Sequence, residues 1–131
     1  MAKTYFHLFS IFYFIVFSLG CASTESVLKQ YDLVDYSDGI DALEAKSITQ
    51  QEFLSIPYTR GAYNVYKPYV VSHPEISQYP NLWFIALPAQ EKKNTQSFLC
   101  VIDRRTGAVI RALDWRVDNN PGISWVFNQN N

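Results

Sequence analysis

The chain of 131 residues is poor in the residues that build common active sites: two cysteines, two histidines, five glycines and only 18% charged side chains. Each scarcity removes a class of function. His7 lies in an apolar amino-terminal run, which leaves His73 alone in the remainder and excludes any site needing two or more histidines. No zinc-ligand spacing, phosphate-cradling glycine loop or nucleophile elbow occurs. Lys and Arg number 11 against 12 Asp and Glu, a net charge of -1, so there is neither a basic footprint for nucleic acid nor an acidic tail. At 48% hydrophobic residues the chain is too apolar for a disordered linker, and its length allows one small domain.

What the chain does have begins with an address. Lys3 precedes an apolar run from Phe6 to Leu19, followed by Gly20, Cys21, Ala22 and Ser23, the layout of a signal peptide. At about 1.5 Å per residue that run falls short of the roughly 30 Å hydrocarbon core, which disfavours a permanent membrane span. Ser18-Leu19-Gly20-Cys21 resembles the bacterial lipobox, whose cysteine becomes the acylated new amino terminus. Ordinary cleavage after Ala22 or Ser23 is the alternative. The resemblance implies a cell-envelope protein held on a membrane by acyl chains on Cys21, each buried CH₂ contributing about 0.8 kcal/mol. Ala22 after that cysteine implies the outer membrane, facing the periplasm, in a Gram-negative host.

Loss of residues 1–20 leaves 111 residues with 10 basic against 12 acidic side chains, enough chain for a core without staples. Cys100 is then the only thiol besides Cys21, and its setting in Phe98-Leu99-Cys100-Val101-Ile102 predicts a small buried residue. Residues 21–35 read as lipidated cysteine and tether, with apolar positions between Tyr31 and Tyr36 able to pack, and residues 36–131 as one domain. Asp41 and Glu44 have capping-box spacing, which predicts a helix over 42–54 with Ala45, Ile48, Thr49 and Phe53 inward and Lys46, Gln50 and Gln51 in water. Val65 to Ser72 reads as an edge strand because of Pro68. Strands are expected over 82–87, 97–103 and 108–115, the last two joined through Arg104-Arg105-Thr106-Gly107. The strand at 98–102 is apolar on both faces, so something besides the helix must cover it: a curled sheet, another subunit or the tail. The tail, with Asn120-Pro121-Gly122 before Ile123 to Phe127, reads as a fifth short strand.

Candidate chemistry is sparse. Asp103 and Asp114 lie on paired strands and form an acid/base pair if burial separates their pKa values, although Asp103 stands where a turn needs a hydrogen-bond acceptor. No cofactor is implied. Tyrosines crowd the middle of the chain at Tyr58, Tyr63, Tyr66, Tyr69 and Tyr79, a residue type used both by strands and by recognition surfaces. Arg104, Arg105, Arg111 and Arg116 make the last hairpin basic. Tyr63, Tyr66, Tyr69, Tyr79, Arg104, Arg105 and Arg111 are the expected partner contacts.

Residues 41–48 (Asp-Ala-Leu-Glu-Ala-Lys-Ser-Ile) resemble the opening helix of PepSY-type domains, and residues 98–110, with Asp103 and Thr106-Gly107, resemble their closing hairpin. The Trp83-Phe84 strand with the same hairpin is similar to small NTF2-fold immunity proteins. Together the resemblances span residues 40–113. They imply an α+β domain of the PepSY, cystatin or NTF2 kind, one main helix on a curled antiparallel sheet of four to five strands. They imply a non-catalytic function: binding a protein partner, as an inhibitor or modulator of an envelope enzyme or as an antidote to a toxin. An NTF2-like pocket for a small ligand, with or without weak enzymatic activity, and a structural envelope component are the alternatives. Replacement of the acyl-accepting thiol tests the address directly: Cys21→Ser moves the protein from the membrane to the soluble fraction on ultracentrifugation, and retention in the membrane contradicts the lipobox reading.

Overall fold

The helix over Ala42–Ser55 starts at Asp41, where the expected capping box is complete. The Asp41 carboxylate accepts from the Glu44 amide at 2.8 Å and Glu44 Oε2 accepts from the Asp41 amide at 2.9 Å. The second Glu44 oxygen accepts from the Asp35 amide at 3.0 Å, so one carboxylate also fixes the chain entering the helix. The computed structural model describes residues 25–56, 62–93, 95–116 and 122–128. In chain order these form α1 (residues 25–32), α2 (Ala42–Ser55), β1 (Tyr69–Val70), a 3₁₀ turn (Pro74–Gln78), β2 (Leu82–Pro88), β3 (Gln96–Asp103), β4 (Val109–Arg116) and α3 (Ser124–Asn128). The expected signal peptide, Cys21, Tyr58, the expected helix stop at Pro57 and Arg60-Gly61, and Asn120-Pro121 lie outside the described residues.

The architecture is α+β, an open four-stranded antiparallel sheet in the order β1-β2-β3-β4. Register places Phe84 beside Val101 and Val101 beside Arg111, with a bulge between Val101 and Ile102. Gly107 closes the β3–β4 turn at φ +72°, and a Cβ there would stand 2.5 Å from the Tyr36 ring, so backbone and packing both require glycine. Pro68 precedes β1 at the sheet edge, where a missing amide costs no ladder bond.

Ser97 to Ile102 of β3 are all buried. On one side Ile85, Leu87, Phe98, Cys100 and Ile102 lie under Ala45, Ile48 and Phe53 of α2. On the other side Phe84, Ala86, Leu99, Val101 and Trp115 are covered by Val71, Ile123 and Val126, with Ile76, Tyr79 and Phe127 around them. The tail therefore supplies the second cover, as a helix rather than the expected fifth strand. A run as short as Ile123 to Phe127 does not distinguish the two by its apolar content. The helix wins because it turns Ile123, Val126 and Phe127 to one side, where an extended chain would alternate them.

Two other expectations change. Residues 25–34 carry Val27, Tyr31 and Val34 inward at helical spacing: Val27 is buried, and the other two pack beside Ile40, Ala45 and Ile48. The folded part thus begins before residue 36, and most of the expected tether belongs to it. Gln50, expected in water, is buried and donates from Nε2 to the Val65 carbonyl at 2.8 Å, tying α2 to the segment before β1. Lys46 and Gln51 are half-buried. Thr49 is also buried and returns its hydroxyl to the Ala45 carbonyl at 2.9 Å, which explains how a helix with weak apolar segregation buries polar residues.

The two-sided core predicts unequal costs for two apolar truncations. Ile123→Ala removes a fully buried side chain and lowers stability by about 2–5 kcal/mol in chemical denaturation. Leu43→Ala removes one that is 70% exposed, and changes stability by less than about 0.5 kcal/mol.

Candidate functional site

The residues expected to meet a partner divide between core and surface. Tyr63 is buried, its ring 6.0 Å from that of Phe53 and 6.1 Å from that of Phe98. Its hydroxyl donates to Asp114 Oδ1 at 2.5 Å, and burial together with the adjacent carboxylate pushes the phenol well above its ordinary range. Tyr79 packs its ring 4.9 Å from Phe127 and 5.9 Å from Phe84. Tyr63 is thus a core residue and Tyr79 is half-buried against the core, which leaves little of the first and only part of the second to meet a partner. Tyr66, by contrast, is 52% exposed and Tyr69 36% exposed, with Val70 beside them at 42%. The Tyr69 hydroxyl lies 3.1 Å from Ser97 Oγ, so its ring is tethered while part of it faces solvent.

The arginines do not join this surface. Arg104 lies with its guanidinium 3.7 Å over the Trp83 ring and donates from Nε to the Leu82 carbonyl at 3.1 Å. Its carbonyl accepts from the Ile40 amide at 2.6 Å, while Trp83 Nε1 donates to the Ile40 carbonyl at 2.7 Å. Those contacts clamp the entry to α2 onto the β3–β4 turn. Arg105 is exposed at the turn itself, and Arg111 stands opposite Val101 on β4. Tyr69 is on β1, three inter-strand spacings or about 14 Å from β4. The exposed tyrosines and Arg111 therefore stand at opposite edges of the sheet.

Chemistry-bearing residues are similarly committed. Asp103 accepts from the Arg105 and Thr106 amides at 2.8 Å each, and those two bonds hold its carboxyl below the ordinary carboxylate value. Asp114 faces Phe98, five residues along β3 from Asp103, which puts the two acids roughly 17 Å apart. The acid/base pair considered from the sequence is not assembled. His73 Nδ1 accepts from the Glu75 amide at 3.2 Å and starts the 3₁₀ turn. Cys100 is fully buried, and burial pushes its thiol up to about 12. Among the described residues no three His, Cys, Asp or Glu side chains gather closely enough to hold a metal, and no helix is long and apolar enough to cross a membrane.

One feature escaped the sequence. An open groove of about 470 Å³ runs between the 64–67 loop and the β2–β3 hairpin, lined by Asn64, Lys67, Gln90, Lys92, Thr95 and Ser97 among others. Backbone bonds from the Asn64 amide to the Pro88 carbonyl at 2.8 Å, and from the Gln90 amide to the Ala62 carbonyl at 2.9 Å, hold its walls together. Ser97 belongs to the groove and also meets Tyr69, so the exposed tyrosine edge and the groove adjoin. Two loops distant in sequence make it, and no local motif announces such a meeting. Comparisons with known protein families, curated proteins and solved structures find no match for this chain.

The buried thiol predicts a pH dependence. Its folded pKa lies above the ordinary value of 9.0, so the stability it contributes is present below pH 9 and is lost as pH rises towards about 12. Denaturation curves measured from pH 7 to 11 show stability falling, less steeply in Cys100→Ala; equal slopes contradict the assignment. Tyr63 leaves a residual decline, because its pKa is raised too.

Proposed function

We propose that this protein is a bacterial envelope lipoprotein, anchored through acyl chains on Cys21, whose α+β domain works by binding another protein. The signal-peptide layout and Ser18-Leu19-Gly20-Cys21 support the anchor. In a host with two membranes the outer membrane, periplasmic side, is the proposed location. An inhibitor, modulator or antidote role, as in PepSY-like or immunity-like domains, is the finer form of the proposal, supported by the α2-plus-antiparallel-sheet arrangement and the 103–107 turn.

The observation that carries the binding reading is the exposure of Tyr66, Tyr69 and Val70 together at one edge of a well-packed sheet. Aromatic rings held by a scaffold offer contact area at low entropic cost, and the adjoining polar groove offers directional hydrogen bonds. The small-ligand alternative draws less support. The sheet is open, and the face beneath α2, where a cone-shaped sheet would hold a ligand, is filled by Ile48, Phe53, Phe98, Cys100 and Ile102.

The test is capture of a partner by cross-linking on the protein's own cells, read by mass spectrometry. The unsubstituted chain retains one stoichiometric protein. Tyr66→Ala combined with Val70→Ser reduces that capture at least several-fold and leaves the melting temperature within about 2 °C, as surface changes do. Capture that is unchanged by the double substitution removes this surface from the account, and absence of any stoichiometric protein removes the binding reading.

A further inference from the structure

The two edges of the sheet are unlike. β1 offers two residues after a proline, a short edge of the kind that resists strand pairing. β4 offers eight residues, Val109 to Arg116, with no proline and no lysine, and among the described residues no strand lies on its outer side. Helix α2 packs chiefly over β1, β2 and β3, and β4 is only partly covered: Ile110 is 45% exposed and Ala112 is exposed, while Val109 is half-buried beside Ile102 and the exposed Asp114 accepts from the Tyr63 hydroxyl. A row of free backbone donors and acceptors beside exposed apolar side chains is a template for another strand.

The residues along β4 leave one register in which it can pair with a second copy of itself. Two copies related by a two-fold axis perpendicular to the sheet pair antiparallel, and each residue faces one from the same side of the sheet. A register centred on Arg111 sets two arginines face to face, and one centred on Asp114 sets two aspartates face to face; both are disfavoured. A centre at Ala112 brings Val109 opposite Trp115. The bulge puts Val109 on the α2 side with Ile102, whereas Trp115 is on the other side with Leu99 and Val101, so that pairing fails. A centre at Leu113 sets Leu113 against Leu113, Arg111 against Trp115 and Ala112 against Asp114. It uses the regular part of the strand and opposes no like charges.

We infer that β4 is the site at which a second copy of this chain pairs, edge to edge about Leu113, giving one continuous eight-stranded sheet. The tyrosine surface at β1 stays exposed at both ends of such a sheet, so pairing through β4 and partner binding through β1 are independent. The full chain in its own membrane provides the test. Leu113→Cys gives an oxidant-dependent dimer on non-reducing gels several-fold above both the unsubstituted chain and Ser77→Cys, an exposed position on the 3₁₀ turn. In that background Ala112→Asp, which faces Asp114 of the other copy, lowers the dimer, while Ala112→Lys retains it. Neither changes the melting temperature appreciably, since Ala112 is exposed. Because Leu113→Cys alters a half-buried position, analytical ultracentrifugation of the unsubstituted protein in detergent is the independent measure, with a concentration-dependent dimer expected. A monomer at all concentrations, a cross-link from the Leu113→Cys chain to a different protein only, or equal effects of the Asp and Lys substitutions each overturn the inference.

Discussion

Burial of β3 on both faces is the constraint from which the rest of the structure follows. A strand carrying Phe98, Cys100 and Ile102 on one side and Leu99 and Val101 on the other is stable only between two covers. Helix α2 supplies one, through Ala45, Ile48 and Phe53. The second is assembled from pieces distant in sequence: the 3₁₀ turn before β2, and α3 at the far end of the described chain. These two pieces are themselves joined, because Glu75 accepts from the Ser124 amide at 3.1 Å and its carboxylate lies where a Cβ on Gly122 would fall. The glycine at φ +79° lets the chain pass over that carboxylate and turn into α3.

The same demand absorbs side chains that in another fold would face a partner. Tyr63 and Tyr79 become bridges between loops and the two halves of the core, while Arg104 becomes a clamp, stacked on Trp83 and bonded to Leu82. What the core does not take is informative for that reason. Tyr66, Tyr69 and Val70 stay outside although the chain before and after them, at Val65 and Val71, is buried. Exposure there goes with the edge position of β1, which has a neighbouring strand on one side only among the described residues. Cys100 illustrates the converse: a residue with intrinsic reactivity is made inert by its place in the central strand.

Much of this was legible along the chain wherever short-range chemistry decides. Asp41 with Glu44 marked the start of α2, Pro68 marked an edge, the Asp103 to Gly107 turn was readable from acceptor and glycine, and the two-sided apolar pattern of β3 announced a double cover. The misses share a cause, which is that long-range packing decides them. Ile123 to Phe127 is short enough to be strand or helix until the sheet face beneath it is known. Gln50 reads as a surface residue until the Val65 carbonyl is placed beside it. Val27, Tyr31 and Val34 form a stripe whose purpose depends on the α2 side of the sheet. For the site, residue type alone does not separate Tyr63 from Tyr66, because a tyrosine is equally suited to a core that provides an acceptor and to an interface.

Native-state hydrogen exchange under increasing denaturant tests the double-cover account most directly. If α2 and α3 both belong to one cooperative unit around β3, the amides of Leu99 to Val101 and the Val126 amide, which donates to the Ile123 carbonyl at 3.0 Å, exchange with a common free energy equal to that of global unfolding. Exchange of Val126 at a much lower free energy, with β3 still fully protected, contradicts it, because the second face of β3 would then be stable without its helix.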